Sequence, residues 1–584
     1  MKRFLSLLLA AATAFACVPA ARALTPKPNV APVVSSQIPD SNTFRGTTRI
    51  IDLTQFFGDP DASAAVQVTT SLGTMNFTLD GQQAPITVAN FLNYLNSGRY
   101  FKTDSSNGQQ ASLFFHRSVP GFVIQTGGFL GTGNPNGTGN VLATQVATFA
   151  AIQNEPFISN LRGTIAMAKL GGDPNSATSQ WFINLADNSA NLDAQNGGFT
   201  VFGRVAGNGM TVADAIAALP RIDASGGDPS SPFTALPVRN YASPNPVKVS
   251  NLVSLPGIAQ ISPLNFSASS SNESVATVSA AGTDLLVKGL GIGSARITVT
   301  GTDLDGASVT QSFTVNVNAM SIRLGNISTR ANFASGDDDL IAGFIVRGGS
   351  SKALSVRAIG PTLANFGIQN PIADPTIELH SGAPAIAQND NWIDSPKKLT
   401  LLGLQLSPRD DRESALIATV PSSAANTSYT AVMQNAARQP GIGLVEVYDL
   451  DSSAGSAILN LSTRGQVGTG DKVMIGGFIL AGDGALRIVV RAIGPTLANF
   501  GINGALPDPV VVLRNEQGTV VDANDNWQSH PGAAEIQQNG LQPNDPRESA
   551  LITTLAAGNY TATVTGTGST PTGVGLVEIY QIVP

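Results

Sequence analysis

Apolar and polar residues alternate along most of this chain in short runs, and glycine, asparagine or aspartate separates one run from the next. This alternation predicts half-buried β-strands joined by tight turns. Residues 66–79 (VQVTTSLGTMNFTL), for example, predict a hairpin. Two segments, Pro85–Gly98 and Thr211–Leu219, have apolar residues at helical spacing instead, and each predicts an amphipathic helix. The chain is therefore predicted to be mainly β.

The C-terminal part consists of two copies of one repeat, residues 320–452 and residues 453–584. The sequence RAIGPTLANFGI begins at Arg357 and again at Arg491, and NDNW, RESAL and GLVE recur after it in the same order. Strand-like stretches such as LRIVVRAIG and VGLVEIYQIV predict a β-sandwich for each copy. The copies resemble repeats appended to large secreted bacterial proteins, and we expect them to contact the cell surface or its matrix.

A third module is predicted to be split along the chain. Residues 264–317 resemble the later strands of bacterial Ig-like or cadherin-like modules, and Pro32–Asp61 resembles the opening of such a module but is too short to fold alone. We therefore expect one Ig-like sandwich divided between residues 24–61 and 251–319, with residues 62–250 inserted into it. The apolar residues of its first part are expected to be buried: Ile50, Ile51 and Leu53.

The inserted segment contains a stretch that predicts a site. Residues 114–128 (FFHRSVPGFVIQTGG) predict two strands joined by a tight turn at Pro120–Gly121. Arg117, Phe122 and Gln125 are spaced so that alternation along the strands sends their side chains toward one groove. The sequence thus predicts a groove that combines a cation, an amide and an aromatic ring.

Together with further segments in a fixed order, this stretch resembles the cyclophilin family of peptidyl-prolyl cis-trans isomerases. The further segments are the hairpin at 66–79 with the helix after it, NEPFISNLRGTIAMA at 154–168, SQWFIN at 179–184 and NLDAQNGGFTVFGRV at 191–205. The resemblance implies an eight-stranded antiparallel β-barrel with two helices, and isomerisation of X-Pro bonds as the activity.

The chemistry of that reaction explains why an arginine is needed. Rotation about an X-Pro bond has a barrier of about 18–20 kcal/mol, and no covalent bond is made or broken. The site must therefore bind the twisted amide better than either planar isomer. As the bond twists, the prolyl nitrogen gains a lone pair that a fixed guanidinium stabilises. By the resemblance, Arg117 is the donor, and Phe122 and Gln125 complete the catalytic set.

The resemblance also implies a set of substrate-binding residues. The apolar slot for the proline ring would be lined by Phe122, Val123, Phe182 and Leu192. The residues before the proline would be held by Ala168, Lys169 and Gln180. Gln125 would hold either Arg117 or the peptide carbonyl.

Three positions depart from the family pattern. Phe199 stands where the family often has histidine, which keeps an aromatic wall without a polar tip. Val123 replaces a frequent methionine and makes the slot shorter and stiffer. Asn191 replaces a tryptophan that contacts cyclosporin-type drugs, which puts tight drug binding in doubt but not activity.

Each of these residues has an ordinary structural interpretation when it is taken alone. Arg117 could form a surface ion pair, Phe122 and Phe182 could belong to a core, and Gln125 could cap a turn. Together, at the family spacing, they favour an isomerase. The alternative function is a non-catalytic adhesive or scaffold protein that binds proline-containing peptides. Retention of Arg117 favours the enzyme, because this side chain acts mainly in the transition state.

Metal, cofactor and histidine chemistry are not predicted. The three histidines, His116, His380 and His530, lie in separate segments, which disfavours a metal cluster or a Ser-His-Asp triad. The Asn-Asp-Asn runs around Asp390 and Asp525 are predicted to be turns rather than calcium ligands. We therefore expect no metal site and no cofactor, and repeats that are stable without metal.

The N-terminus predicts a secretory leader. Two basic residues precede an apolar run, and Ala21–Ala23 forms a cleavage signal, so residues 1–23 are expected to be removed. The mature protein would be secreted, periplasmic or at the cell surface. A lipoprotein anchored at Cys17 is disfavoured because Phe15 fits a lipobox poorly. No later stretch is long and apolar enough to be expected to span a bilayer.

The mature chain is acidic. The full chain has 33 basic and 40 acidic residues, and the leader holds three of the basic ones, so 30 remain against 40 and the net charge is −10. Nucleic acid is therefore not an expected partner. The expected partners are proline-containing polypeptides. The only cysteine lies in the leader, which leaves no disulfide and no thiol nucleophile in the mature chain.

Overall fold

The structure is a computed structural model that describes residues 29–104, 108–133, 141–333, 339–423, 425–436, 439–451 and 455–582. The predicted leader at residues 1–23, with Cys17, lies outside the described residues. The chain forms two compact units. The first comprises the chain up to Val33, Gly58–Asn265 and Thr302–Val309, and the second comprises Val34–Phe57, Phe266–Gly301 and Thr310–Pro584.

The main sheet of the first unit is antiparallel and has eight strands, as the fold prediction requires. Its strands are, in spatial order, Gly257–Ile261, Ala64–Thr70, Gly73–Leu79, Val201–Ala206, Thr164–Met167, Trp181–Asn184, Val123–Thr126 and Arg117–Val119. A second sheet contains Leu142–Gln145, Phe129–Thr132, Gln110–Phe114, Ser254–Leu255 and Phe101–Thr103. A two-stranded ladder joins Arg221–Ile222 to Leu236–Pro237.

Both predicted helices are present, with slightly different ends. They span Pro85–Asn96 and Gly209–Ala217, and a third, short helix that was not predicted spans Ser189–Leu192. Short 3-10 turns lie at Gln195–Gly197 and Val249–Asn251. None of the helices in the described ranges is long and apolar enough to cross a membrane.

Trp181 lies at the centre of the core of the first unit. It is fully buried, and the rings of Phe77, Phe91 and Phe115 meet it edge-on with centroids 5.6, 5.9 and 6.3 Å away. Edge-to-face pairs of this kind add to the stabilisation from burial. Phe91 comes from the first helix, so this cluster fixes the helix against the sheet that carries the predicted site.

Two strands that follow residue 250 pair with strands of the inserted domain. Ser254–Leu255 pairs with Leu113–Phe114, and Gly257–Ile261 pairs with Ala65–Thr69 along the edge of the main sheet. These residues were predicted to open the second part of the Ig-like module. In the structure they pair with strands of the inserted domain, whose edge strand offers unpaired backbone groups that a following strand can satisfy.

The Ig-like module has the pairing that a split sandwich requires. One sheet of the module has four strands, which are, in spatial order, Ser41–Phe44, Ser308–Asn318, Gly293–Asp303 and Leu264–Ser270. The other sheet has three strands: Ala276–Ala281, Asp284–Gly289 and Thr48–Asp52. Ser41–Phe44 runs parallel to Val315–Asn318, and Thr48–Asp52 pairs with Asp284–Lys288. Short strands lie at Val33–Val34 and Phe57–Gly58, and a 3-10 turn lies at Leu53–Gln55.

Burial in the first part of this module follows the strand alternation. Ile51 and Leu53 are buried as predicted, with exposed fractions of 8% and 0%. Ile50 is only half-buried, so its predicted burial was wrong. It precedes Ile51 in the same strand, and successive side chains of a strand point to opposite faces. The residue bounds given above for the module remain predictions.

The repeats form one 14-stranded sheet system. The first copy contributes Arg323–Phe333, Leu340–Gly348, Lys352–Ile359, Pro375–His380, Ala385–Asn389, Ser414–Val420, Thr427–Asn435 and Gly441–Asp449. The second copy contributes Ser456–Val467, Met474–Ile493, Pro509–Asn515, Val520–Asn524, Ser549–Gly566 and Gly573–Ile582. Helices span Lys398–Gly403 and Ala533–Gln538, and 3-10 turns span Pro361–Phe366, Trp392–Asp394, Gly470–Lys472, Pro495–Phe500 and Trp527–Ser529.

Strands of the two copies pair with each other within this sheet system. Arg323–Arg330 of the first copy pairs with Ile475–Ala481 of the second, and Ile341–Gly348 of the first pairs with Ser456–Arg464 of the second. One hydrophobic core contains residues of both copies. The physical reason is that the apolar face of each exchanged strand is buried only when the other copy is present.

Candidate active site

Arg117 and Gln125 face each other across a tight hairpin. The strands Arg117–Val119 and Val123–Thr126 are antiparallel, and Arg117 is the cross-strand partner of Gln125. Gly121 in the connecting turn has a φ of +72°, a left-handed conformation that favours glycine. Directly opposed residues of an antiparallel pair present their side chains on the same face. Arg117 and Gln125 therefore lie on one face of the sheet.

The guanidinium of Arg117 has no partner among the residues that the structure describes. The side chain is half-buried, and among the described residues it makes no hydrogen bond and no ion pair. Arg162 in the same unit differs, because it is bonded to Asp214 at 2.7 Å. An arginine without an internal acceptor retains its donors for a ligand. Arg117 is therefore not the surface ion-pair residue of the alternative interpretation.

Gln125 is held by another glutamine rather than by Arg117. Its Nε2 donates to Oε1 of Gln180 at 2.9 Å. The backbone carbonyl oxygen of Gln180 accepts a hydrogen bond from the backbone N–H of Ala168 at 2.9 Å. These two hydrogen bonds connect Gln125, Gln180 and Ala168, three predicted site residues from separate segments of the sequence.

The predicted apolar slot is present as a separate cluster. Val123, Phe182 and Leu192 are buried, and Phe122, Ala168 and Phe199 pack against them while half-exposed. The rings of Phe182 and Phe199 meet edge-on with centroids 5.9 Å apart. The cluster also contains residues that the sequence analysis missed: Ile158, Ala166 and Val201. The strand register could have indicated two of them, because Ala166 pairs with both Phe182 and Val201.

Lys169 lies along one wall of this cluster. Its Nζ donates to the carbonyl oxygens of Gly198 and Asn196 at 2.6 and 2.9 Å, and it lies 4.8 Å from the centre of the Phe199 ring. Burial lowers the pKa of Lys169 to about 8, and the charge of Asp173 opposes this shift. The lysine thus ties the loop at Asn196–Gly198, which the sequence analysis did not assign to the site, to the predicted binding residues.

His116 is a structural residue. It is fully buried, and its ring packs edge-on against Phe129 with centroids 5.1 Å apart. Burial and the charge of Arg117 lower the pKa of His116 to about 3. The ring is therefore neutral at pH 7 and leaves Arg117 as the cation of the hairpin.

The histidines and aspartates of the repeats that could bind a metal do not form a cluster among the described residues. His380 bonds to Glu378 at 2.9 Å, and His530 bonds to Asp522 at 3.1 Å. Asp390 and Asp525 are both exposed. In the part of the chain that the structure describes, no three or more histidine, cysteine, aspartate or glutamate side chains come together in a way that could hold a metal ion.

An antiparallel barrel-like sheet that carries a free arginine beside an apolar slot is the architecture of a cyclophilin-type isomerase. Residues 65–235 match the family model described as cyclophilin type peptidyl-prolyl cis-trans isomerase/CLD. The chain belongs to the cyclophilin family. Residues 258–313 match the model of the bacterial Ig-like domain (group 2), which confirms the Ig-like resemblance.

Curated bacterial relatives match about a quarter of the chain. Peptidyl-prolyl cis-trans isomerase A of Dickeya dadantii is 44% identical over 158 residues, which are 26% of this chain and 71% of the relative. A peptidyl-prolyl cis-trans isomerase of Acinetobacter baylyi is 39% identical over 162 residues, 27% of this chain and 74% of the relative. Peptidyl-prolyl cis-trans isomerase B of Escherichia coli is 39% identical over 140 residues, 23% of this chain and 72% of the relative.

Proposed function

We propose that this protein is a peptidyl-prolyl cis-trans isomerase that acts on X-Pro bonds of envelope or extracellular proteins. The observation that carries the proposal is the position of Arg117, which has no partner among the described residues, on the same face as the Gln125–Gln180 pair and beside an apolar slot. Family membership and relatives named as isomerases support the same activity.

The slot and the arginine have different tasks in the proposed mechanism. The apolar ring of the substrate proline is transferred from water into the cluster around Phe182 and Leu192. The area of the ring that is buried is similar in the cis and trans isomers. Such uniform binding lowers KM without favouring rotation. The guanidinium of Arg117 acts when the C–N bond twists, because the pyramidal nitrogen then accepts a hydrogen bond that the planar amide cannot accept.

The residues beside the slot restrain the peptide chain before the proline. Ala168 and Gln180 share a backbone hydrogen bond, and Gln180 also receives the amide of Gln125. A fixed flanking chain confines the rotation to the prolyl side of the bond and places the nitrogen near one donor. We assign Lys169 to the same wall, where its bonds to the loop at Asn196–Gly198 fix the edge of the groove.

The activity is tested with the full chain in a protease-free assay on a proline-containing peptide. We expect faster cis–trans exchange than in buffer, and loss of that acceleration in Arg117→Ala. A wild-type protein that binds the peptide and does not accelerate exchange would favour the alternative, a scaffold that binds proline-containing peptides.

The compartment is a separate part of the proposal and rests on the predicted leader. Mass spectrometry of the protein from a bacterial host that exports it is expected to find a chain that begins at Leu24, in the periplasm or the medium. An intact N-terminus in the cytoplasm would contradict export, and a lipid on Cys17 would replace cleavage at Ala23 by lipoprotein processing.

A further inference from the structure

The identical segment RAIGPTLANFGI of the two repeats presents one exposed aromatic residue in each copy. Phe366 is 69% exposed and its counterpart Phe500 is 76% exposed, whereas the next most exposed phenylalanine among the described residues, Phe157, is 44% exposed. Most of the shared segment is buried, and packing explains why those residues are alike in both copies. A single exposed ring is ordinary on a protein surface, but packing does not explain why the two most exposed phenylalanines among the described residues occupy the same position in both copies.

Each copy holds this ring on a fixed turn. Glu413 is fully buried and accepts hydrogen bonds from the N–H groups of Gly360 and Thr362 at 3.0 and 2.8 Å and from the Thr362 hydroxyl at 2.7 Å. These bonds anchor the start of the 3-10 turn Pro361–Phe366, and Gly367, with a φ of +79°, ends it.

The second copy repeats this arrangement. Glu548 is fully buried and accepts from the N–H groups of Gly494 and Thr496 at 3.1 and 2.8 Å and from the Thr496 hydroxyl at 2.8 Å. Its turn Pro495–Phe500 ends at Gly501, with a φ of +78°. A ring held on such a turn has little conformational freedom to lose on binding, which is the property of an anchor residue.

The chain segments that carry the two rings contain no charged residue and are rich in amides. No charged residue occurs in residues 358–373 or in the matching residues 492–507. Asn365 and Asn499 precede the rings and are exposed, and their side-chain amides make no hydrogen bond with any described residue. Gln369 and Asn503 occupy the matching position three residues after each ring, so an exposed amide recurs there as well. We call residues 361–370 and 495–504 the aromatic platforms.

We propose that the two aromatic platforms bind a neutral polysaccharide built of hexopyranose units. A pyranose ring has an apolar face of C–H groups that can stack on an exposed phenylalanine, and its hydroxyls pair with free amides. The platforms carry no lysine or arginine, which an anionic lipid surface or an acidic polymer would attract. Two equivalent platforms on one body match a ligand that repeats the same unit, because each unit can occupy one platform.

The test uses the full chain and four uncharged insoluble polysaccharides as probes: amorphous cellulose, curdlan, mannan and agarose. Depletion of the protein from solution gives an apparent affinity for each probe. We expect saturable binding to at least one of them. Phe366→Ala and Phe500→Ala are each expected to weaken that binding about tenfold, because one remaining platform gives no avidity, and the double variant is expected to lose it, because neither platform keeps its ring.

Controls separate a binding role from a structural one. Phe366→Trp keeps a ring for stacking and should restore binding, whereas Ile386→Ala, at an exposed apolar residue of the same repeat body, should leave it unchanged. Melting temperature and isomerase activity should be unchanged in every variant. Binding to none of the four probes, or binding that survives in the double variant, would overturn the proposal. Phenylalanine-dependent binding to phosphatidylglycerol vesicles instead would also overturn it and assign the platforms to a membrane surface.

Discussion

The hydroxyl of Thr329 donates a 2.8 Å hydrogen bond to the hydroxyl of Thr463, and both residues are fully buried. The two threonines occupy the same position of the two copies, in the sequences NISTR and NLSTR. A bond between equivalent residues places a local two-fold axis between the first strands of the copies. The reciprocal exchange of strands follows from such an axis, because whatever one copy donates to its neighbour it also receives.

We predict strong coupling between these two threonines. Thr329→Val leaves the Thr463 hydroxyl buried without its partner and should cost about 1–3 kcal/mol, with a similar cost for Thr463→Val. The double variant removes both polar groups and should cost clearly less than the sum. Calorimetric unfolding of the full chain measures the effect. Additive losses would show that the bond does not couple the copies.

Arg117→Ala is expected to lower kcat/KM by roughly 10²–10³, the size expected for loss of one preorganised donor. The affinity for a proline-containing peptide should change much less, because the guanidinium is proposed to act on the twisted amide. Arg221→Ala, at an exposed arginine of the same unit, serves as the control and should leave both values unchanged. Near wild-type turnover in Arg117→Ala would contradict the assignment.

Variants of the apolar slot are expected to change peptide binding as well as turnover, unlike Arg117→Ala. Phe122→Ala and Phe182→Ala should weaken peptide binding as well as turnover, because the slot contacts the proline ring in both isomers. Phe182 is 5% exposed, so its variant should also lose about 3–5 kcal/mol of stability, whereas the half-buried Phe122 should lose less. Peptide titration and thermal unfolding separate the two effects. Unchanged affinity in both variants would count against the slot.

Asp59 should make the stability of the first unit depend on pH. Burial, together with a hydrogen bond to Asp61 and the charges of Asp61 and Asp303, raises its pKa from 3.8 to about 7. A raised pKa in the folded state contributes stability that is present below pH 3.8 and is lost as the pH rises through 7. Asp59→Asn, which stays neutral, should therefore raise the melting temperature at pH 8 and not at pH 3.5.

The control for this experiment is Asp525→Asn, at an exposed aspartate of the repeats. It should change the melting temperature little at either pH. A gain for Asp59→Asn that is equal at pH 3.5 and pH 8 would show that protonation of Asp59 is not the cause.

Calcium is expected to have no effect on the repeats. The Asn-Asp-Asn runs form turns in which Asn389 and Asn524 donate to the carbonyl oxygens of Asn391 and Asn526 at 3.1 Å. A chelator should therefore leave the melting temperature of the repeat transition unchanged in the full chain. A drop of several degrees that calcium reverses would show that Asp390 and Asp525 are ligands.

Local pattern was sufficient for the parts of the site that lie close together in sequence. Strand alternation and one turn placed Arg117 opposite Gln125, and a helical spacing marked Pro85–Asn96. The bond from Gln125 to Gln180 is a tertiary contact, and no spacing along the chain shows which of several polar partners an amide will choose. Ile158 was missed for the same reason, because it enters the slot from a loop without periodicity.

The sequence could not predict the pairing of strands between the two copies, for a physical reason. The two copies present nearly the same sequence, so Leu340–Gly348 finds chemically equivalent partners in the first strand of its own copy and in that of the other copy. Alternation, hydrophobicity and register are then the same for both choices. Only connection lengths and packing of the whole body decide between them, and these are not local properties of the sequence.

Because the Ig-like sandwich is divided along the chain, its first strands are synthesised long before the strands that they pair with. The N–H of Ile38 bonds to the side chain of Gln311, a partner 273 residues later. Translation at about 5–20 residues per second leaves the first strands waiting for tens of seconds. That interval is as long as the spontaneous exchange of an X-Pro bond. The isomerase segment emerges whole within the same interval, so a nascent chain would possess its own catalyst before its flanking module can close.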